Sequence, residues 1–441
     1  MMHPTTPRTR PPARAATAAT LVLTLVMAAG AAGQQGHGWP GWRGPDGTGV
    51  STTAKPPVEW SESKNVRWKM TIPGRGSASP IVWQDRVYVL TAVPAGTDSG
   101  TSTAVSKGRN RYIVMALDRK TGKTVWERTA REEEPHEGTH NQFGTYASSS
   151  AVTDGQVLIA SFESRGIYAY DLSGKKLWEV DLGDKRMRNE FGEGSTPALH
   201  RDSVVVVWDH QGESFIVALD KNTGKERWRT NRDEIDSWAT PLVVEVNGSA
   251  QVVTSGMRRV RSYDLDTGKV VWEMAGLTMN PIPSPVAADG IVYLMSGFRG
   301  NSLKAVRLAD ARGDVTDTPA VIWTFERDTP YVPSPLLYDG FLYFLKGNTG
   351  VLSVFDAKSG TPHYQLQRIE GVPNVFSSPV GADGKVFILG QDGGTAVIRQ
   401  GPTYEVLATN KLDDKFDASP ALAGNEIYLR GYRYVYCLAA N

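Results

Sequence analysis

The chain has 441 residues, is 40% hydrophobic and carries a formal net charge of +1. That length and composition suffice for a large core, and the near-neutral balance gives no global pull toward nucleic acid or an acidic membrane. A single cysteine, Cys437, excludes an intrachain disulfide, so stability must come from packing.

The first 33 residues read as a signal peptide. Arg8, Arg10 and Arg14 precede the apolar run Leu21-Val22-Leu23-Thr24-Leu25-Val26, and small residues follow from Ala28 to Gly33. Basic, apolar, then small is the order of a secretory signal, and the run is short for a membrane span. No cysteine follows it, so no lipid anchor is expected, and the mature chain moves from +1 to about −2. The expected location is the periplasm or outside the cell, with no membrane span in the mature chain. Residues 34–64 form an N-terminal extension.

From residue 65 onward the sequence repeats. Ala116-Leu117-Asp118-Arg119-Lys120-Thr121-Gly122-Lys123-Thr124-Val125-Trp126 returns in versions closing on Trp178, Trp228 and Trp272, at spacings of 52, 50 and 44 residues. A β-rich period of that length marks a radial array of small sheets. A second marker, Ser or Thr before Pro, occurs at Ser79, Thr196, Thr240, Ser284, Ser334, Ser378 and Ser419, with a degenerate copy at Ser150-Ala151. Strand A follows each marker, and Asp-Gly at 154–155, 289–290, 339–340 and 383–384 supplies a tight turn into strand B. Strand C ends in Ala-Leu-Asp and strand D in tryptophan. The pattern predicts an all-β, eight-bladed propeller of four-stranded antiparallel blades over residues 65–441. The chain stops just after the last strand C. The segment Asn65-Val66-Arg67-Trp68-Lys69 is therefore predicted to supply the missing strand and close the ring. Later blades drift, with Trp323 in blade five, Tyr364 in place of tryptophan in six, and only Val406-Leu407 in seven. A tryptophan repeated in every blade does the same job in each, which is packing between neighbours.

Function belongs where the repeats differ. In a four-stranded blade the B–C and D–A loops share one face, and the A–B and C–D turns share the other. Two long loops, Val93 to Arg109 and Ala130 to Tyr146, fall together on the first face; an insertion at Ala309 to Pro319 falls on the second. The candidate binding residues on the first face are His136, His140, Asn141, Tyr146, Asp209, His210, Arg258, Arg299, Lys346 and Arg430. The D–A loops add Arg186, Arg188, Glu190, Glu193, Asp236, Trp238 and Tyr331. Basic residues outnumber acidic ones, which points to a small polar or anionic ligand, or to a protein partner with an acidic patch. His136 and His140 offer metal donors, but Pro135 and Gly138 break any helix that would set their geometry, and no metal site is assigned. Nucleophile-elbow, P-loop and dinucleotide motifs are absent.

The Ala-x-Asp-x-x-Thr-Gly-Lys-x-x-Trp motif resembles the tryptophan-docking repeat of pyrroloquinoline-quinone (PQQ) type propellers, over residues 65–441. Trp39-Pro40-Gly41-Trp42-Arg43-Gly44-Pro45-Asp46-Gly47 is similar to the opening motif of PQQ-binding-like repeat proteins, as are His140-Asn141, Tyr146 to Ser150 and Asp154-Gly155. The resemblance implies a cofactor in the dehydrogenases of this type, which commonly carry adjacent bridged cysteines. One cysteine cannot form that pair. No match to their calcium ligands or aspartate base is found. Cofactor-free relatives include the scaffold lipoprotein of the Bam complex. The expected function is therefore an exported, monomeric binding or scaffold propeller without catalysis or cofactor. The alternative is an oxidoreductase using PQQ and calcium, with a carboxylate from Asp209, Glu190 or Glu193 and with Arg258 or Lys346 near the quinone. A third reading is a hydrolase, which needs two carboxylates about 5–10 Å apart.

Overall fold

The repeated aspartate caps its own turn. In the computed structural model, which describes residues 1–4, 38–96 and 105–440, Asp118 Oδ1 accepts from the Thr121 N–H at 2.9 Å and from its hydroxyl at 2.7 Å. Asp220 with Thr223, Asp264 with Thr267 and Asp356 with Ser359 repeat the pair. The next residue, Gly122, has φ +72°, and a Cβ there would lie 2.6 Å from the Trp68 ring. Glycine is required twice over, for the positive φ and for the approach of the neighbouring tryptophan.

That approach is the bond between blades. Trp68, Trp126, Trp178, Trp228 and Trp323 each lie on the turn glycine of the next blade. Their indole N–H groups donate to the carbonyls of Arg119, Leu172, Lys221, Leu265 and Ala357 at 2.7–3.1 Å. Each ring thus buries apolar area while its one polar atom is satisfied. Trp272 is the exception, because the next turn is interrupted by the insertion. Gly313–Asp314 of that insertion pairs parallel with Trp272 and Glu273. The Ala309 to Pro319 insertion therefore adds a fifth strand to blade four, beyond the loop decoration expected from sequence. Where later blades lose the motif, Trp60 of the N-terminal extension stacks on Phe387 of blade seven.

The sheets number eight among the described residues. Blade one comprises Ile81–Trp83, Arg86–Pro94, Asn110–Asp118 and Thr124–Glu133. Blade eight comprises Ala421–Ala423, Glu426–Arg430 and Tyr434–Ala439, completed by Val66–Thr71 with Trp68 opposite Cys437. The ring closes as predicted. Cys437 is buried, and burial pushes its thiol up to about 12, as suits a small core residue. The expected signal peptide falls almost entirely in residues 5–37, which lie outside the described residues.

The Ser/Thr markers form a second, inner ring. The N–H of each marker donates to the hydroxyl oxygen of the marker in the next blade, from Ser79 to Ser150 and onward through Ser378 to Ser419. Ser419 donates back to Ser79, and all eight bonds measure 2.8–3.1 Å. The degenerate Ser150 takes its full place, because the ring needs the hydroxyl and the N–H, not the proline.

Residues 38–51 cross the axis beneath this ring, on the A–B side. Trp39 exchanges backbone hydrogen bonds with Val82 of blade one, and Val50–Ser51 pairs parallel with Gly381–Ala382 of blade seven. Between them Arg43, fully buried, donates to the Pro379 and Pro335 carbonyls at 3.0 and 2.7 Å. Trp42 reaches up to the ring, donating to Ser419 Oγ at 3.3 Å. The segment stoppers one end of the channel.

Candidate functional site: the axial cavity

Above the stopper lies a cavity of about 310 Å³, the size of a small-ligand pocket. Its wall follows a rule. The residue two positions before each marker lines it in every blade: Ser77, Ser148, Gly194, Trp238, Ile282, Val332, Phe376 and Asp417. Trp42 forms part of the floor, and Phe143, Phe191 and Tyr331 extend the aromatic wall. Phe143 comes from the loop between blades one and two, yet its ring centroid is 4.6 Å from that of Phe376, between blades six and seven. The long loop predicted to matter therefore reaches across the axis. His140 anchors it, stacked 5.0 Å from Phe143 and accepting at Nδ1 from the Gln142 and Phe143 N–H groups.

The charged groups of the lining are acidic. Glu193, with its side chain 15% exposed, accepts from the Ser164 N–H at 2.9 Å. Burial, then the nearby Glu163 carboxylate, push its pKa up to about 7. Asp417 is raised by burial, while bonded to Tyr432 and Gln391 at 2.7 Å each. Among the described residues that line the cavity there is no lysine or arginine.

The sequence-nominated residues divide. His140 lines the axial cavity. His136 and Tyr146 line an adjoining pocket that shares Glu193. Tyr146 donates to the Glu137 carbonyl, and burial pushes its hydroxyl up to about 12. The two histidines thus do not converge. Instead His136, Glu137 and Glu193 bring donor atoms within 4.8 Å of one another. His136 Nε2 is engaged with the Lys185 carbonyl, and its Nδ1 accepts from Arg165. The buried Lys185 pairs with Glu163 beside them.

Two nominations are corrected. Asp209 is 0% exposed and locked to Arg232 through two bonds of 2.7 and 2.9 Å, so it presents nothing to the face. Arg430 is 1% exposed, with its pKa lowered to about 10 by burial, and lies between blades eight and one near Thr91. Asn141, Arg258, Arg299 and Lys346 are exposed outside the cavity lining. Lys346 pairs with Asp328 at 2.8 Å, and His210 sits on the rim with its pKa lowered by burial. The basic excess read from loop positions is thus a property of the rim. The cavity at the centre is lined by acids instead. Glu193, Trp238 and Tyr331, named only as loop residues, prove to be its walls.

PQQ is a tricarboxylate, and this donor set does not suit it. Two carboxyl groups without a lining cation would repel it, and Cys437 lies in the core of blade eight.

Comparison with known proteins places the chain. Outer membrane protein assembly factor BamB of Yersinia pestis is 23% identical over 270 residues, covering 57% of this chain and 61% of that protein. The chain thus spans under two thirds of that relative. Tetrathionate hydrolase of Acidithiobacillus ferrooxidans is 24% identical over 413 residues, covering 84% of this chain and 78% of that one. A europium-containing methanol dehydrogenase structure superimposes with a TM-score of 0.61 at 13% identity, covering 90% of this chain and 89% of that one, a likeness of fold. The family model described as outer membrane protein assembly factor BamB matches residues 34–213 and 163–318, more than half of the sequence, and the chain belongs to that family of PQQ-like repeat propellers.

Proposed function

We propose that this chain is an exported binding propeller, a scaffold without catalysis that presents its B–C/D–A face to a protein partner. The observation that carries the reading is which charges on that side are buried in pairs and which stay exposed. Asp209 with Arg232, and Glu163 with Lys185, are buried in closed pairs. Groups held this way hold the fold in register and are poorly placed to exchange protons with a substrate. Exposed arginines, Arg258 and Arg299, remain on the rim for a partner to meet. Kinship with an assembly factor supports the same reading. No helix among the described residues is long and apolar enough to cross a membrane.

The test is site-specific photo-crosslinking in the native cell envelope. A crosslinker at Arg299 is expected to capture a discrete partner, and one at Asn247, on the A–B turn of the other face, is not. Capture only from Asn247 would overturn the choice of face. A dye-linked assay with PQQ and Ca²⁺ is expected to show no turnover of alcohols or sugars; turnover would overturn the non-catalytic reading.

A further inference from the structure

The axial cavity joins three properties. Its walls are aromatic, its charge is acidic, and its depth is limited by the chain's own stopper. Trp238 stands at the wall with its indole N–H already donated to the Gly192 carbonyl at 2.7 Å. Its polar edge is satisfied, so what remains for a ligand is the ring. The other indole, Trp42, has Arg43 5.8 Å from its ring and is the poorer platform for a second cation. Glu193 supplies the counter-charge. Lys185, a buried cation that acts on it, is matched to Glu163. The cluster therefore holds one carboxyl more than its buried ammonium neutralises. His136 lies 3.7 Å from Glu193, on the side of the adjoining pocket. Asp417, across the cavity, adds a second acid, softened by the nearby positive charges of Arg75 and Lys415.

An aromatic face beside a carboxylate, shielded from water, is the recognition chemistry of organic cations. A quaternary ammonium has no N–H to satisfy, so it needs only ring faces and a compensating charge. An anion would meet two acids. We propose that the axial cavity is a binding site for an organic cation of the quaternary ammonium class, seated against Trp238 with Glu193 as counter-ion. This rests on the reading of the chain as a binding propeller and names what its central pocket would hold.

The experiment uses the mature full chain and a matched pair of probes, choline and 3,3-dimethylbutanol, the neutral carbon analogue of its head. Calorimetric titration at pH 8 is expected to show saturable choline binding, with the neutral analogue weaker by about tenfold or more. Glu193→Gln keeps the acceptor for the Ser164 N–H and removes the charge. It is expected to weaken choline by about tenfold and to leave the analogue unchanged. Trp238→Leu is expected to weaken choline by a similar factor. Thermal melts of both variants confirm folding. Equal affinity for the two probes would overturn the proposal in favour of a plain apolar pocket. No binding of either would overturn it outright. The Arg299 crosslink, repeated in Glu193→Gln, separates the two readings. A crosslink that persists while no probe binds would leave the scaffold standing and remove only the cation site.

Discussion

The two ends of the axial channel solve opposite problems with opposite charges. At the closed end the chain buries a cation, Arg43, and surrounds it with backbone carbonyls of Pro335 and Pro379. Burial lowers its pKa to about 9, yet the hydrogen bonds hold it in place. At the open end the half-buried acidic groups are carboxyls, Glu193 and Asp417, and the aromatic walls offer them no lysine or arginine from the lining. One end is closed by the chain itself, and the other is lined by acids and aromatic rings. A propeller channel is a tube of repeated parts, so the difference comes from what is threaded through it. The N-terminal segment and the insertion in blade four break the rotational symmetry on the A–B side, and the long loops break it on the other.

The comparison is most directly broken at the closed end. Arg43→Met removes three donated hydrogen bonds, one of them to Thr48, and leaves buried carbonyls unpaired. We expect a loss of about 3–5 kcal/mol, read as a lower denaturant midpoint. A loss below about 1 kcal/mol would mean that the stopper is dispensable to the ring.

At the open end the second-largest effect is one of pH. Glu193 and Glu137 are both raised from 4.5 to about 7, chiefly by burial. Each carboxyl holds its proton more tightly in the folded chain than in the unfolded one. That contribution to stability is fully present below pH 4.5 and is lost as pH rises through 7. The expected fall across this window is on the order of 1–3 kcal/mol, discounted for the partial exposure of Glu137. The turn aspartates Asp118, Asp220 and Asp356 are half-buried and lowered, chiefly by their hydrogen bonds to the turn, and they act in the other direction at more acid pH. Equilibrium unfolding at pH 5 and pH 8 checks the sign. Greater stability at pH 8 would show that these acids have found cations in solution.

The fold was legible for the same reason that the site was not. Tryptophan and Ser/Thr recur because each blade meets its neighbours in the same way, and repetition exposes that job in one sequence. The cavity wall also has a fixed address, two residues before each marker, but its occupants run from serine and glycine to tryptophan, phenylalanine and aspartate. A search for likeness passes over a position whose value lies in its differences. Sorting charges by face found Glu193 and Trp238 as loop residues. It failed for Asp209 because its partner, Arg232, lies in the loop just past strand D of the blade, 23 residues away. Parity places a residue at a rim without saying whether a neighbour will pull it into the core. The Trp39 to Gly47 motif was visible as a motif, but its path under the ring depends on contacts with blades one, six and seven.

Glu193→Gln sharpens the contrast with Arg43. Removing a buried charge at the closed end breaks bonds the fold has made. Removing one at the open end relieves a burial penalty while keeping the Ser164 bond. At pH 8 the variant is expected to equal the parent or exceed it by about 1 kcal/mol, and much of the pH dependence above is expected to disappear. A marked destabilisation would show that Glu193 already serves the fold, as Arg43 does.

The smallest expected effect in stability is at the mouth. Phe143 meets Phe376 from across the axis and stacks on His140. Both rings are half-buried, so Phe143→Ala forfeits about 1 kcal/mol or less. Its kinetic effect distinguishes two roles for the long loop. A ring that only spans the entrance raises the barrier for entry and exit alike. Truncating it would then speed choline association and dissociation together and keep the affinity within about twofold. A ring that serves as wall would stabilise the bound ligand, and its loss would speed dissociation alone. The contact with Phe376 spans the entrance, so the first pattern is expected, and stopped-flow tryptophan fluorescence reads both rates. Faster dissociation with unchanged association would move Phe143 from the entrance to the wall and make the long loop part of the binding surface.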